Sequence, residues 1–124
     1  MSTDAIAKLA DYLDEKASQV KAIEAEAQAV IHNEGDQAGY EAVMRRKAEL
    51  LAALAAEAAP LVQALGAPLA AEAGDRLNGF SLNAGNALRI GSVFYMSALL
   101  YPDEHKPGEP NNLELLAAEV RGWA

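Results

Sequence analysis

Cysteine is absent from this sequence of 124 residues. Its absence excludes disulfide bonds, thiolate catalysis and zinc sites built on cysteine. It also suits a reducing compartment, and the N-terminal segment lacks the basic start and the continuous apolar run of a signal peptide. We therefore expect a cytoplasmic protein.

Aromatic residues are scarce, at 6% of the chain, and alternating runs of β-branched residues, which mark strands, do not occur. The apolar fraction is nevertheless 52%, and alanine supplies much of it. Alanine favours helix strongly and buries little surface per residue. The composition therefore predicts an all-α fold of closely packed helices, in a single domain spanning residues 1–124.

Basic residues are also few, since ten lysines and arginines face eighteen aspartates and glutamates, for a net charge of −8. Such a balance disfavours binding to nucleic-acid phosphates and adsorption to anionic lipid. We predict no direct nucleic-acid binding and no membrane association. An acidic protein does attract a basic protein partner, and this remains open.

Apolar residues recur at helical spacing through the first half of the chain. One run fills residues 4–33, and a second begins after Asp36, which is a suitable N-cap. Because only a few residues around Gly35 join the two runs, they are predicted to form a long antiparallel hairpin over residues 1–59. Pro60, which lacks a backbone N–H, then predicts a kink or a short break.

The second half divides at its prolines and glycines. Residues 60–101 are predicted to form a broken segment and a buried core helix, and residues 102–110 a loop that holds three of the five prolines. Residues 111–124 form the last helix, for which Asn111 and Glu114 make a variant of the capping box. These elements together predict an up-and-down bundle of four to five helices.

The segment from Gly79 to Pro102 carries a single charged residue, Arg89. Apolar residues surround every side of the helix predicted here, which is typical of a helix enclosed by protein or by lipid. Asn83, Asn86 and Arg89 occupy its first two turns, and the apolar run that remains is too short for a membrane span. We therefore predict a helix at about residues 82–101 that is buried among the other helices.

Asn83, Asn86 and Arg89 are the candidate ligand-binding residues. They are successive third residues at the start of an apolar helix, where side chains and backbone N–H groups can bind an anion or a small polar ligand. A structural alternative stays open, in which the two amides bridge loop backbone and Arg89 pairs with an acid such as Glu72 or Asp75.

Metal and catalytic motifs find little support in the sequence. Residues 32–36 contain His, Asn, Glu and Asp, but their spacing matches no known metal-binding pattern. The carboxylate pairs Asp11 with Asp14 and Glu72 with Asp75 are too sparse for a helical metal-dependent hydrolase. We predict no catalytic residue, no metal site and no cofactor, and a role that is not enzymatic.

The long hairpin has more apolar edge than three shorter helices obviously cover. We therefore expect an adaptor, regulator or assembly subunit that self-associates as a dimer. The predicted interaction surface consists of the residues Leu9, Leu13, Val20, Tyr40 and Trp123. Two alternatives remain open: a helical bundle that binds a small ligand or hydrolyses nucleotides with a metal, and an acidic mimic that blocks a nucleic-acid-binding protein.

Overall fold

The structure, a computed structural model, describes residues 2–124. Met1, with which the predicted domain begins, lies outside the described residues. The helices along the described chain are α1 (Ser2–Glu34), α2 (Gln37–Gln63), α3 (Leu69–Ile90), α4 (Val93–Ala98) and α5 (Asn112–Arg121). Residues 2–124 contain no strand, which confirms the predicted all-α class.

Helices α1 and α2 pack side by side in opposite directions. The Tyr12 hydroxyl, early in α1, donates a hydrogen bond to Glu57 Oε1, late in α2, at 3.1 Å. Near the other end, Arg46 Nη1 lies 2.8 Å from Glu26 Oε2. Residues early in one helix therefore meet residues late in the other, as expected for an antiparallel hairpin.

The turn between α1 and α2 depends on two residues. Gly35 takes a left-handed φ of 62°, a conformation that costs glycine little. The Asp36 side chain then accepts a hydrogen bond from the Gly39 N–H at 2.9 Å, which confirms the predicted cap of α2. At the far end, α2 continues through Pro60 and ends at Gln63, so the proline lies in the last turn of one helix.

Helix α5 lies along α1 and covers its apolar face. Arg121 Nη2 is 2.6 Å from Asp14 Oδ2, and Lys21 Nζ is 3.2 Å from Glu114 Oε2, so these two helices also run antiparallel. The Asn111 side chain and Glu114 cap the start of α5 reciprocally, which confirms the predicted capping box. The sequence predicted an uncovered apolar edge on the long hairpin. On α1, the last helix of the chain covers that face.

The main core lies between α1, α2, α3 and α5. Its fully buried large side chains are Ile6, Leu9, Leu13, Val20, Leu51, Leu54, Leu77, Leu113, Leu116 and Val120. Full burial of one such side chain stabilises a fold by about 1.5–3 kcal/mol. A smaller cluster forms where α4 meets the hairpin, with the members Ala27, Val43, Met44, Ala48, Ala87 and Met96.

Helix α3 is longer than predicted and begins earlier. It runs without interruption from Leu69 to Ile90, whereas the sequence predicted a broken segment before a helix at about residue 82. Its buried face, which packs mainly on α2, consists of Ala73, Leu77, Ala84 and Ala87. Continuous packing of small side chains on α2 stabilises the helix enough to outweigh the weak helix propensity of glycine.

The predicted buried helix at residues 82–101 is wrong. Gly91, with a left-handed φ of 75°, ends α3, and the Ser92 side chain caps the short α4 by accepting from the Tyr95 N–H at 3.1 Å. Only Met96 of α4 is buried, whereas Phe94 is 74% exposed. Part of this apolar segment therefore lies on the surface of the protein. No helix within residues 2–124 is both long enough and apolar enough to span a bilayer.

Candidate functional site

Large exposed hydrophobic side chains concentrate at the junction of α3 and α4. Leu82 and Ile90 on α3 are 64% and 58% exposed, and Phe94 and Tyr95 on α4 are 74% and 54% exposed. Two amide side chains of α3 lie beside them, because residues three and four apart share a helix face. We call this surface the α3–α4 patch, defined as Leu82, Asn83, Asn86, Ile90, Phe94 and Tyr95.

A hollow of about 400 Å³ adjoins the α3–α4 patch. Helices α3 and α4, the segment after α4 and the first residue of α5 form its walls. Its lining residues are Asn83, Asn86, Ala87, Ile90, Tyr95, Ala98, Leu99, Leu100, Tyr101, Pro102 and Asn112. Carboxamides, phenol groups and apolar side chains all occur in this lining, and none of its side chains carries a formal charge at neutral pH.

The three candidate ligand residues end up in different positions. Asn83 and Asn86 line the hollow, whereas Arg89 lies outside its lining. Arg89 is exposed and donates through Nη2 to Asn86 Oδ1 at 3.1 Å. It forms no ion pair among the described residues, and Glu72 instead lies 3.7 Å from Arg76, so the proposed pairing of Arg89 with an acid is not observed.

A second polar site is buried between the helices. The side chain of Lys47 has no exposed surface, and its Nζ donates to the Ser97 carbonyl at 2.9 Å. The same Nζ lies 2.9 Å from Glu24 Oε2 and 5.0 Å from the centre of the Tyr101 ring. We call Glu24, Lys47 and Tyr101 the Lys47 network; it joins α1, α2, α4 and the segment that follows α4.

Burial governs the protonation of the Lys47 network. It lowers the pKa of Lys47, and the neighbouring charge of Glu24 opposes that shift. Burial also raises the pKa of Tyr101, and the hydrogen bond that its hydroxyl donates to Glu24 Oε1 at 2.6 Å acts in the same direction. Glu24 Oε2 has no hydrogen-bond donor among the described residues, because its contact with Lys47 lacks hydrogen-bond alignment.

A cavity of about 240 Å³ opens beside the network and is lined by Glu24, Gln28, Tyr40, Met44, Lys47, Ser97 and Tyr101. Tyr101 also lines the larger hollow, so one ring separates the two spaces. The Lys47 side chain itself has no exposed surface.

The predicted interaction surface needs correction. Leu9, Leu13 and Val20 have no exposed surface, because α2 and α5 cover that face of α1. Tyr40 is half-buried at the cavity beside Lys47, and Trp123 is half-buried against the main core. The large exposed hydrophobic side chains of the described residues lie mainly on α3 and α4, with Leu115 on α5 in addition.

Sequence reasoning missed Lys47 as a special residue, although a signal was present. Lys47 falls at an apolar position of α2, between Met44 and Leu51. A lysine at such a position is either buried with a partner or changes which face of the helix packs against the core. Phe94 and Tyr95 were missed as surface residues because Gly91, which ends α3, falls inside the single helix that was predicted at about residues 82–101.

Metal ligation receives no support from side-chain placement. Within residues 2–124 no group of three or more His, Asp or Glu side chains is arranged to hold a metal ion. His32 contacts Gln28 within α1 at 2.8 Å, and Asp36 is occupied by the cap of α2. Asp11 and Asp14 both contact Arg121.

No family model matches the chain, and no curated protein or solved structure matches it. Function has therefore to follow from the chemistry of the α3–α4 patch, the hollow and the Lys47 network. The patch and the hollow lie open to other molecules, whereas the network is enclosed by the fold.

Proposed function

We propose that the protein acts by protein–protein interaction in the cytoplasm and forms a homodimer through the α3–α4 patch. The observations that support this proposal are the exposure of Leu82, Ile90, Phe94 and Tyr95 on two consecutive helices, and the shared hollow that Ile90 and Tyr95 line. Isolated exposed hydrophobics are common, but a contiguous group of large ones marks a contact surface. Aromatic side chains of this kind supply much of the energy of protein interfaces.

The distribution of charge directs contact between two copies of this chain to the α3–α4 patch. Each copy carries a net charge of −8, so most ways of bringing two copies together place carboxylates against carboxylates. The stretch from Leu77 to Leu100 contains no acidic residue, and its single charge is the exposed Arg89. Contact through the α3–α4 patch therefore joins two acidic molecules without opposing their like charges.

The side-chain pattern of α3 fits pairing with an identical helix. Gly79, Leu82, Asn86 and Ile90 follow helical spacing along one face. An asparagine between apolar contact positions can pair with its own copy and fix the register of two helices. No atom lies within 4 Å of a Cβ built on Gly79, so packing within the single chain does not require glycine there. In a dimer, the absence of a side chain at Gly79 lets a second helix approach closely.

The substitution Phe94→Asp tests the proposal. Phe94 is 74% exposed, so its replacement leaves the fold of one chain intact but puts a carboxylate on each side of the interface. Truncating an interface residue of this kind costs 2 kcal/mol or more. We expect the dimer dissociation constant to rise by about 30-fold or more, as measured by sedimentation equilibrium.

Ala42→Asp is the matched control, because Ala42 is exposed on α2 and the substitution adds the same charge away from the patch. Its dissociation constant should stay within about threefold of the original, since one added surface charge has a small effect on association. A wild-type protein that remains monomeric at high micromolar concentration would refute the dimer, as would a Phe94→Asp variant that associates like the wild type.

A further inference from the structure

The hollow beside the α3–α4 patch has an uncharged lining that includes three carboxamides. The protein carries eighteen acidic and ten basic side chains, yet no carboxylate, ammonium or guanidinium group lines the hollow. Its volume of about 400 Å³ lies within the usual range of small-molecule sites, which is about 300–1,000 Å³. The walls of the hollow therefore offer a ligand no charged partner.

Three carboxamides provide directional polar contacts in the hollow. The side chains of Asn83 and Asn112 form no hydrogen bond with another described residue, so their donors and acceptors are free for a ligand. Asn86 accepts from Arg89 through Oδ1, which leaves its N–H groups free. Each amide offers both donors and acceptors, and this matches rings that carry the two kinds of group side by side.

Tyr101, which forms one wall of the hollow, is held in place by the Lys47 network. The Tyr101 hydroxyl is held by Glu24 Oε1 at 2.6 Å, and the Tyr101 ring lies against the Lys47 amine at 5.0 Å. Leu100, which also lines the hollow, has a left-handed φ of 77° although it is not glycine. Backbone strain of this kind concentrates at functional sites.

We propose that the hollow binds a neutral, planar heteroaromatic ring of the nucleobase class. The apolar side chains of Ile90 and Leu99 cover the faces of such a ring, and the carboxamides of Asn83, Asn86 and Asn112 contact its polar edge. Carboxamides pair well with the adjacent donor and acceptor groups of a base such as adenine. The absence of a lining cation, together with the charge of −8, disfavours nucleotides relative to nucleosides.

This site overlaps the proposed dimer contact, because Asn83, Asn86, Ile90 and Tyr95 belong to both surfaces. Phe94 belongs to the patch and does not line the hollow. The Phe94→Asp variant therefore separates the two proposals: it removes the dimer contact and leaves every wall of the hollow in place. Ligand binding to this variant is expected whether or not the wild-type protein forms a dimer.

Titration calorimetry with adenosine, performed on the Phe94→Asp variant, tests the site. We expect saturable binding of adenosine, and binding of adenosine monophosphate that is no tighter. Adding Asn83→Leu should raise the dissociation constant about three- to tenfold, the effect of losing one hydrogen bond. Asn33→Leu, at an exposed asparagine near the end of α1, should leave it unchanged.

Ala98→Phe provides a second test, because Ala98 lines the hollow and a phenyl group there takes up its volume without removing a polar group. Saturable adenosine binding that both Asn83→Leu and Ala98→Phe weaken would support the site. The site would be excluded if adenine, adenosine and uridine all gave no binding heat at millimolar concentration. It would equally be excluded if both variants bound adenosine as tightly as their parent.

Discussion

Replacing Lys47 with methionine should lower the free energy of unfolding by about 3 kcal/mol, although the two side chains are similar in volume. Lys47 has no exposed surface, and the facing carboxylate of Glu24 retains only 20% of its side-chain exposure. The substitution leaves that carboxylate without its cation and the Ser97 carbonyl without its donor. Denaturant unfolding at a fixed protein concentration measures the loss, because association changes apparent stability.

Lys21→Met is the matched control for this prediction. Lys21 also pairs with a glutamate, Glu114, at 3.2 Å, but its side chain is 58% exposed. Exposed pairs of this kind contribute about 0–1 kcal/mol, so the control should change stability by less than that. In the double variant Lys47→Met/Glu24→Gln, the neutral amide still accepts from Tyr101, and we expect at least half of the lost stability to return.

The pH dependence of stability provides an independent readout for Lys47. Its pKa lies below the ordinary value of 10.5 in the folded protein, so between these two values the unfolded chain binds more protons than the folded one. Stability contributed by this residue therefore rises with pH across that window. The rise should be absent from Lys47→Met. Equal stability of the wild type and Lys47→Met, with the same pH dependence, would show that the buried ion pair has no energetic role.

The Lys47 network also links the interior of the bundle to its proposed contact surface. Helix α4 has six residues and buries only Met96, so little apolar packing holds it in place. The bond from Lys47 Nζ to the Ser97 carbonyl attaches the end of α4 to α2. The segment that presents Phe94 and Tyr95 is thus attached to α2 through one buried amine.

Local rules were sufficient to predict the helical hairpin and the last helix. Asp36 and Asn111 lie where side-chain oxygens cap helices, and Gly35 lies where a left-handed residue is needed. These signals act within a few residues, so the sequence alone reveals them. Of the three candidate ligand-binding residues, Asn83 and Asn86 line the hollow and Arg89 does not, and their role in binding stays a prediction.

Long-range packing accounts for what the sequence did not reveal. An apolar residue has the same side chain whether it lies in the core or on a surface, and only the path of neighbouring helices distinguishes the two positions. Leu13 is buried because α5, about one hundred residues later in the chain, returns to cover α1. Phe94 is exposed because Gly91 ends α3 and no other described helix covers the outer side of α4.

Leu13→Ala should therefore lower folding stability strongly, and Phe94→Ala should change it little. Leu13 has no exposed surface, so its truncation leaves a cavity in the main core and should cost about 2–5 kcal/mol of folding stability. Phe94 is 74% exposed, and its truncation should change the stability of the monomer by less than about 0.5 kcal/mol. Denaturant unfolding at low protein concentration, where monomers predominate, compares the two variants directly.

When dimer dissociation is measured instead of folding stability, Phe94→Ala should have the larger effect of the two variants. Phe94→Ala removes a contact of the α3–α4 patch and should therefore weaken the dimer. Leu13 does not reach the surface, so folded Leu13→Ala protein should dimerise with an unchanged dissociation constant. Met96→Ala is a useful third variant, because Met96 is the buried side chain next to the exposed aromatic pair and should lose stability as Leu13 does. A large loss of monomer stability in Phe94→Ala, with little change in Leu13→Ala, would mean that the segment from Gly79 to Pro102 is the buried centre after all.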